Sequence, residues 1–260
     1  MGSSSPPEAG TATSASPSVR TTFPGWNALA WQAVLVAGAA LVYFGVRDLT
    51  EGSRATAVAH ARSLARLEST LGVDWERAVQ GRIIGDDRLV TLADWIYIYG
   101  HWPVIIATLA WLFVRHPPDF YLLRNAMFIS GAIGIVVFAL YPVAPPRLGV
   151  LEVVDTISER STSYRTLQPP ALTNHYAALP SLHFGWNLLV GVIVWRVARR
   201  RWVKALAVLM VVAMGWAVVA TANHYVLDVV AGAVVALTGL ALATQLPRVR
   251  RTPDWAVRDG

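Results

Sequence analysis

The sequence predicts an all-α integral membrane protein: a six-transmembrane helix bundle with an amphipathic segment between helices 1 and 2. Hydrophobic residues make up 55% of the 260 residues and charged residues only 15%, against about 25% in soluble domains. Six apolar runs are long enough, with their flanks, to cross a bilayer core of about 30 Å. Several of the 11 tryptophans lie at the ends of these runs, where amphipathic rings sit at membrane interfaces.

The chain divides into three predicted regions. Residues 1–24 are rich in Ser, Pro, Thr, Ala and Gly and lack an apolar face, which predicts a disordered N-terminal tail. Residues 25–247 form the predicted six-helix membrane domain, and residues 248–260 form a cytoplasmic tail. The six predicted spans are residues 26–46, 92–114, 122–141, 184–197, 203–222 and 225–246.

Two polar stretches interrupt this pattern. In residues 48–89 charges of both signs alternate with apolar residues at helical spacing. These apolar residues are Ala57, Leu64, Leu67 and Leu71. The pattern predicts an amphipathic helix that lies on the membrane or caps the bundle. Residues 142–180 are rich in proline and predict a loop.

Orientation follows from the Lys and Arg residues of short loops, which stay cytoplasmic. They concentrate in the connection 196–204 and in the tail 248–260. Six spans then put both termini in the cytoplasm, and the segment 48–89 and the proline-rich loop on the opposite face. The six arginines of 48–89 argue against this orientation, but that stretch also carries seven acids. We give the compact arginine cluster more weight.

Composition excludes several classes of function. The net charge of +6 is explained by cytoplasmic arginine clusters, so we do not expect nucleic-acid binding. The chain has no cysteine, which excludes disulfides, thiolate catalysis and Cys-ligated metals. The bilayer is the one partner that composition implies, and the oligomeric state cannot be predicted.

Two short polar motifs near the C-terminus are the most informative feature. Pro180-Ser181-Leu182-His183 opens the fourth span, and His224 with Asp228 lies between the fifth and sixth spans. His224 follows His183 by 41 positions, and the stretch between them is apolar, then arginine-rich, then apolar. This pattern predicts a hairpin of two spans, which returns the chain to the face that it left. We therefore expect His183 and His224 to lie close together.

The residue types in these motifs suit catalysis. His224 and Asp228 are four residues apart and share one helix face. A carboxylate there can fix the imidazole tautomer and leave the other nitrogen as a nucleophile. Ser181 suits a helix N-cap, and a helix N-terminus binds anions. For each motif alone, a structural role as helix cap or interfacial histidine is the simpler alternative.

Arg147 adds an anion ligand to this face. It follows Pro145-Pro146 just after the third span, and its guanidinium is a planar fork of donors that suits phosphate. Arg124 lies at the other end of that span, so we interpret it first as a positive-inside anchor and second as a phosphate ligand. Together the motifs supply an anion clamp, a general acid and an oriented nucleophile, without any metal or cofactor.

The order Pro-Pro-Arg, Pro-Ser-Leu-His and His-x-x-x-Asp resembles the type 2 phosphatidic acid phosphatase superfamily over about residues 60–245. It looks most like the inositol phosphorylceramide synthase-like branch, which has Leu where phosphatases usually have Gly. The resemblance implies a lipid phosphate substrate and a phosphohistidine intermediate. It implies that His224 is the nucleophile, Asp228 orients it and His183 is the general acid. Arg147, Ser181 and backbone N–H groups would hold the phosphoryl oxygens.

Two cations of the family pattern are missing. The Arg expected six residues before the nucleophile is Val218, and the Lys expected seven residues before Arg147 is Leu140. Neutral donors are expected in their place, and the candidates are Asn223, Tyr225, Tyr176 and Asn174. A clamp this poor in cations favours a phosphodiester substrate or a transferase, such as one that transfers a phospho-inositol head group.

Three alternatives stay open. One is a plain lipid-phosphate or polyprenyl-diphosphate phosphatase with water as acceptor. Another is a metal-dependent hydrolase with His175, His183, His224 and Asp228 as ligands. The last is a transporter or scaffold in which these charges line a pathway. His101, inside the second predicted span, is interpreted as a packed core histidine or a proton relay, and Asp155 receives no role.

Overall fold

The computed structural model describes residues 26–49, 53–148, 150–156 and 176–246. This part of the chain is all-helical, as predicted, with one isolated bridge between Val143 and Ala177. The predicted tails 1–24 and 248–260 lie outside it. The helices are α1 Trp26–Leu49, α2 Arg54–Leu71, α3 Glu76–Gly81, α4 Asp87–Tyr99, α5 Trp102–Arg115, α6 Pro117–Leu140, α7 Leu182–Val197, α8 Arg201–Ala220 and α9 Val226–Ala243.

Three helices of the described residues, α6, α8 and α9, are long and apolar enough to cross a membrane, and the bent pair α4–α5 makes a fourth if it counts as one span. The predicted six spans are therefore not confirmed. Helix α7 is apolar but has only 16 residues, which rise about 24 Å against a core of about 30 Å. Helix α1 covers the first predicted span.

The span predicted over residues 92–114 is formed by two helices with a break between them. Helix α4 ends at Tyr99, α5 begins at Trp102, and the two axes differ by 41°. Pro103 has no N–H to continue the ladder and therefore starts a new helix. His101 is the N-cap residue of α5 and is 3% exposed, so the break lies inside the bundle. The break directs the His101 side chain toward the polar motifs.

The amphipathic segment 48–89 is two short helices. Helix α2 ends at Gly72, whose φ of 69° is left-handed and favours glycine. The buried residues of α2 are Ala57, Ala61, Leu64 and Glu68. Leu67 and Leu71, two of the apolar residues that define the helical pattern, are exposed. A carboxyl group takes the next position on the buried face instead.

Glycines bring the N-terminal ends of α7 and α9 together. A Cβ on Gly185 would lie 2.6 Å from the carbonyl oxygen of Gly232. A Cβ on Gly232 would overlap the carbonyl oxygen of Ser181. The backbone then closes the contact, because Ser181 N–H donates to the carbonyl of Asp228 at 2.9 Å. This approach joins the two polar motifs.

The described ends of the proline-rich loop are fastened to each other and to the helices. Val143 N–H donates to Tyr176, and Ala178 N–H donates to Val143. Ala144 N–H donates to the carbonyl of Ala57 in α2. These bonds join the two described ends of the loop to each other and to α2.

Candidate active site

His224 is oriented through one ring nitrogen. Its Nδ1 lies 2.8 Å from the carbonyl oxygen of Ala178 and 3.4 Å from Oδ2 of Asp228. A carbonyl oxygen can only accept, so Nδ1 carries a proton, and in the neutral ring the lone pair is then on Nε2. The ring is 6% exposed. The hydrogen bond at Nδ1 therefore leaves Nε2 as the nitrogen that can act as a nucleophile.

Asp228 serves two groups at once. Its Oδ2 accepts the backbone N–H of Tyr225 at 2.8 Å and lies within ion-pair distance of His224. The side chain is fully buried. A negative charge there favours the positive charge that the imidazole gains when Nε2 forms a new bond.

His183 lies close to His224, as the hairpin predicts. The two ring centroids are 6.2 Å apart. His183 stacks on Tyr97, with centroids 4.4 Å apart, and on His101, with centroids 4.1 Å apart. Stacking on two rings limits rotation of the His183 imidazole and so keeps its ring nitrogens in a fixed orientation. The separation allows both histidines to contact one phosphoryl group.

Asn187 links His101 to the helix that carries His183. Its Nδ2 donates to the His183 carbonyl at 2.9 Å and lies 3.0 Å from His101 Nδ1. With the amide nitrogen as donor to both, His101 Nδ1 accepts, and His101 is a neutral ring protonated at Nε2. His101 is thus a packed core histidine, one of the two roles predicted for it. Its ring also stacks on His183, the predicted general acid.

Arg147 reaches the same region through backbone and side chain. Its N–H donates to the carbonyl of Ala222 at 3.1 Å. Its Nε donates to Oδ1 of Asn223 at 2.9 Å, and Nη1 lies 3.1 Å from Oδ2 of Asp155. Asn223 in turn donates to Thr221. Arg147 is thus tied to the turn that precedes His224, and a carboxylate already offsets part of its charge.

Ser181 caps α7 as predicted. Its Oγ accepts the N–H of Phe184 at 3.4 Å, and the residue is fully buried. The cap fixes the first turn of α7, in which His183 lies. Contact of Ser181 with a phosphoryl oxygen stays a prediction.

Two predicted phosphate ligands lie elsewhere. Arg124 is in the first third of α6, 17 residues or about 25 Å before Tyr141. It donates to Gln32 and Asn125 and stacks on Tyr121, so the structure does not bring it to the site. The Tyr225 ring is buried in an apolar cluster with Ala57 and Val143, which does not favour contact with substrate.

The positions of the missing cations have no charged replacement in the described residues. Val218 is fully buried in an apolar cluster, and its carbonyl accepts the N–H groups of Asn223 and His224 at 3.2 and 3.1 Å. Leu140 is 77% exposed at the end of α6. Tyr176 lies near the site, whereas Asn174 and His175 lie outside the described residues.

A metal centre has no support in the same part of the chain, where no group of three or more His, Asp or Glu side chains is arranged to hold an ion. His175, one of the four predicted ligands of that alternative, is not described.

Sequence reasoning missed four groups around the histidines: the Ala178 carbonyl, Asp155, Glu68 and Glu76. A backbone carbonyl carries no sequence signal. Asp155 gave none either, because its partner Arg147 is eight residues away across a turn. Glu68 did give a signal. It follows Ala57, Ala61 and Leu64 on the buried face of α2, where a carboxyl group calls for an explanation.

Comparisons with known proteins identify a family and a similar fold. Residues 62–242, more than half of the chain, match the sequence model of a family described as the PAP2 superfamily. The crystal structure of LpxE from Aquifex aeolicus is similar, with a TM-score of 0.52 and 16% identity over 66% of this chain and 93% of that one. At that identity the likeness concerns the fold alone. None of the curated proteins matches the chain.

Proposed function

The chain belongs to the PAP2 superfamily, and on that premise we propose that it cleaves or transfers the phosphate of a membrane lipid through a phosphohistidine on His224. Membership makes it a phosphatase-type enzyme. The observation that carries the proposal is the hydrogen bond between His224 Nδ1 and the Ala178 carbonyl, which leaves Nε2 as the nucleophile.

The first step forms a bond between His224 Nε2 and phosphorus and breaks the bond between phosphorus and the lipid oxygen. The leaving oxygen takes a proton from His183, which is held beside His224 by its stacking on Tyr97 and His101. In the second step neutral His183 accepts a proton from water or an alcohol as that oxygen attacks phosphorus. The bond to Nε2 then breaks, and both histidines return to their starting states.

Asp228 and Arg147 stabilise opposite charges in this scheme. The Asp228 carboxylate lies 3.4 Å from His224 Nδ1 and offsets the positive charge of the phosphorylated ring. Arg147 would bind the phosphoryl oxygens, with Ser181 and Asn223 beside it. Donors that face the charge of the transition state contribute most to such reactions.

A second candidate function is transfer of a phospho-head group from one phosphodiester to an alcohol, possible acceptors including inositol. The ion pair between Arg147 and Asp155 favours it. With Val218 and Leu140 in place of cations, the net positive charge of the clamp is small. A monoanionic diester needs less compensating charge than a dianionic monoester, so this candidate agrees with the branch that the sequence motifs resemble.

We also propose that the site faces the extracytoplasmic side of a multi-pass cell-membrane protein whose termini are both cytoplasmic. The arginine cluster between α7 and α8, at the opposite end of these helices from the site, supports this. A cysteine introduced at Ser163 should react with an impermeant maleimide added to intact cells, and one at Arg200 should not. The reverse pattern would invert the topology.

Turnover by the purified protein tests the proposed function. It is incubated with phosphatidic acid, prenyl diphosphates and phospholipids, with and without inositol. We expect vanadate to inhibit, EDTA to have no effect, and His224→Ala to be inactive. Release of free phosphate identifies a phosphatase, and a new phosphodiester identifies a transferase. Wild-type turnover by His224→Ala would overturn the proposal, and loss of activity in EDTA would favour the metal-dependent alternative.

A further inference from the structure

Three consecutive backbone N–H groups follow the nucleophile, and each is accepted by a carboxyl oxygen. Tyr225 N–H donates to Asp228 Oδ2 at 2.8 Å. Val226 N–H donates to Glu76 Oε1 at 2.8 Å, and Leu227 N–H donates to Glu68 Oε1 at 2.7 Å. The N-terminus of α9 is therefore occupied by the chain's own carboxyl groups. Substrate cannot use these donors while the carboxyls hold them.

Glu68 and Glu76 come from outside the catalytic hairpin. They lie on α2 and α3, about 150 residues earlier in the chain, and are 0% and 1% exposed. The titratable groups that face Glu68 are Glu76 on α3 and Asp228 and Tyr225 at the start of α9. In the described part of the chain, neither glutamate forms an ion pair with Lys or Arg.

Two buried carboxylates beside a third would repel one another, and water cannot offset their charges. Burial, the largest cause, raises the pKa of Glu68 from 4.5 to about 8. The N–H of Leu227 opposes that change, and the charges of Glu76 and Asp228 add to it. Burial also raises the pKa of Glu76. Glu68 is thus a neutral acid at pH 7 that still accepts a hydrogen bond.

We propose that Glu68 and Glu76 are positioning residues of the reaction, which hold the first turn of α9 and thereby fix Asp228 against His224. The link is direct, because the N–H groups that they bind lie between these two residues. A neutral Glu68 holds the turn without repelling Asp228, and an ionised Glu68 adds a charge that pushes the carboxylates apart. The inference rests on the proposed nucleophilic role of His224.

The pH dependence of kcat separates positioning from simple stability. The substrate is p-nitrophenyl phosphate, whose leaving group needs no proton, so an alkaline loss of kcat does not report His183. We expect wild-type kcat to fall as pH rises through about 8. Glu68→Gln keeps a neutral hydrogen-bond acceptor, so we expect it to retain most of kcat at pH 7 and to lose the alkaline fall.

Replacing either glutamate with alanine should lower kcat and leave KM nearly unchanged, because neither side chain contacts substrate. We expect Glu68→Ala and Glu76→Ala each to lower kcat by at least about tenfold, since each leaves a backbone donor at the turn unpaired. The matched control is Asp74→Asn, an exposed acid between α2 and α3, which should behave as wild type. If the alanine variants do not fold, the Glu68→Gln profile still decides.

An alkaline fall that persists unchanged in Glu68→Gln would overturn the inference, as would wild-type kcat in a folded Glu68→Ala. His224→Ala is assayed in the same series. If it turns over substrate, the proposed function fails whatever the glutamates do. If it is inactive while the glutamate variants match wild type, only the positioning inference fails.

Discussion

The carbonyl oxygen of Ala178 is the nearest partner of the His224 ring, 2.8 Å from Nδ1. The Asp228 carboxylate, which the motif suggests for this task, lies farther away at 3.4 Å. The tautomer is therefore fixed by the backbone of the proline-rich loop, and Asp228 contributes mainly charge. Orientation and charge stabilisation come from different residues.

Asp228→Asn should accordingly be less damaging than His224→Ala. The Ala178 carbonyl keeps Nδ1 protonated in Asp228→Asn, so only the electrostatic part is lost, which we expect to lower kcat by about 10- to 100-fold. His224→Ala removes the nucleophile and should lower kcat by at least about 1000-fold. Steady-state turnover of one lipid substrate measures both, with His116→Ala at the α5–α6 junction as control. Equal losses in the two variants would show that Asp228 alone orients the ring.

Gly232→Ala should separate α7 from α9. The added methyl group would overlap the carbonyl oxygen of Ser181, and backbone atoms cannot move aside as a flexible side chain does. We expect a loss of about 1–3 kcal/mol in the free energy of unfolding, together with lower kcat/KM. The control is Gly81→Ala, where a Cβ meets nothing within 4 Å. Thermal unfolding in detergent compares the two, and equal midpoints would contradict the close contact.

Asp155→Asn should improve binding of phosphate monoesters. It removes the charge that pairs with Arg147 Nη1, and we expect an ion pair whose side chains are 9% and 17% exposed to contribute about 1 kcal/mol. We expect KM for a monoester to fall by about three- to tenfold, with a smaller effect on a diester. Arg147→Ala should lower kcat/KM by about 100-fold. Arg199→Ala, exposed between α7 and α8, serves as control. A higher monoester KM in Asp155→Asn would mean that Asp155 orients Arg147 for substrate.

Stability should fall as pH rises from about 4.5 to about 8. The folded-state pKa of Glu68 is raised above its ordinary value of 4.5 to about 8. Its contribution to stability is therefore complete below 4.5 and is lost as pH rises through the folded value. Glu68→Gln cannot ionise, so its unfolding midpoint relative to wild type should increase between pH 5 and pH 8 and then level off. A difference that stays constant across this range would show that Glu68 does not titrate.

Much of this arrangement could be predicted from the sequence. It depends on the periodicity of the apolar residues and on the number of spans that separate the polar motifs. The spacing of His183 and His224 predicts their meeting, and the rings lie 6.2 Å apart. The break at His101 was not predicted, since hydropathy averages over Pro103. The burial of Glu68 was also missed. A helical repeat identifies a face, but tertiary packing decides which edge of that face is covered.

The sequence predicted those site residues that act through side chains belonging to the recognised motifs. Arg147, Asn223 and Ser181 lie near the histidines, whereas Arg124 does not, because α6 holds it about 25 Å along its axis. Ala178 acts through its carbonyl, and Glu68 and Glu76 act from helices that lie far from the motifs in sequence. Such contacts depend on how the chain packs, which motif spacing does not encode.

In the proposed mechanism Nε2 of His224 becomes covalently bound to phosphorus, and rapid quench of a single turnover tests this step most directly. Enzyme is mixed with substrate carrying radiolabelled phosphate and is quenched in alkali, in which phosphohistidine survives. Peptide mapping by mass spectrometry then locates the label. We expect label on His224, and more of it in His183→Ala with p-nitrophenyl phosphate, because no base then assists hydrolysis of the phosphohistidine. Absence of label during turnover by both enzymes, or label on another residue, would contradict the account.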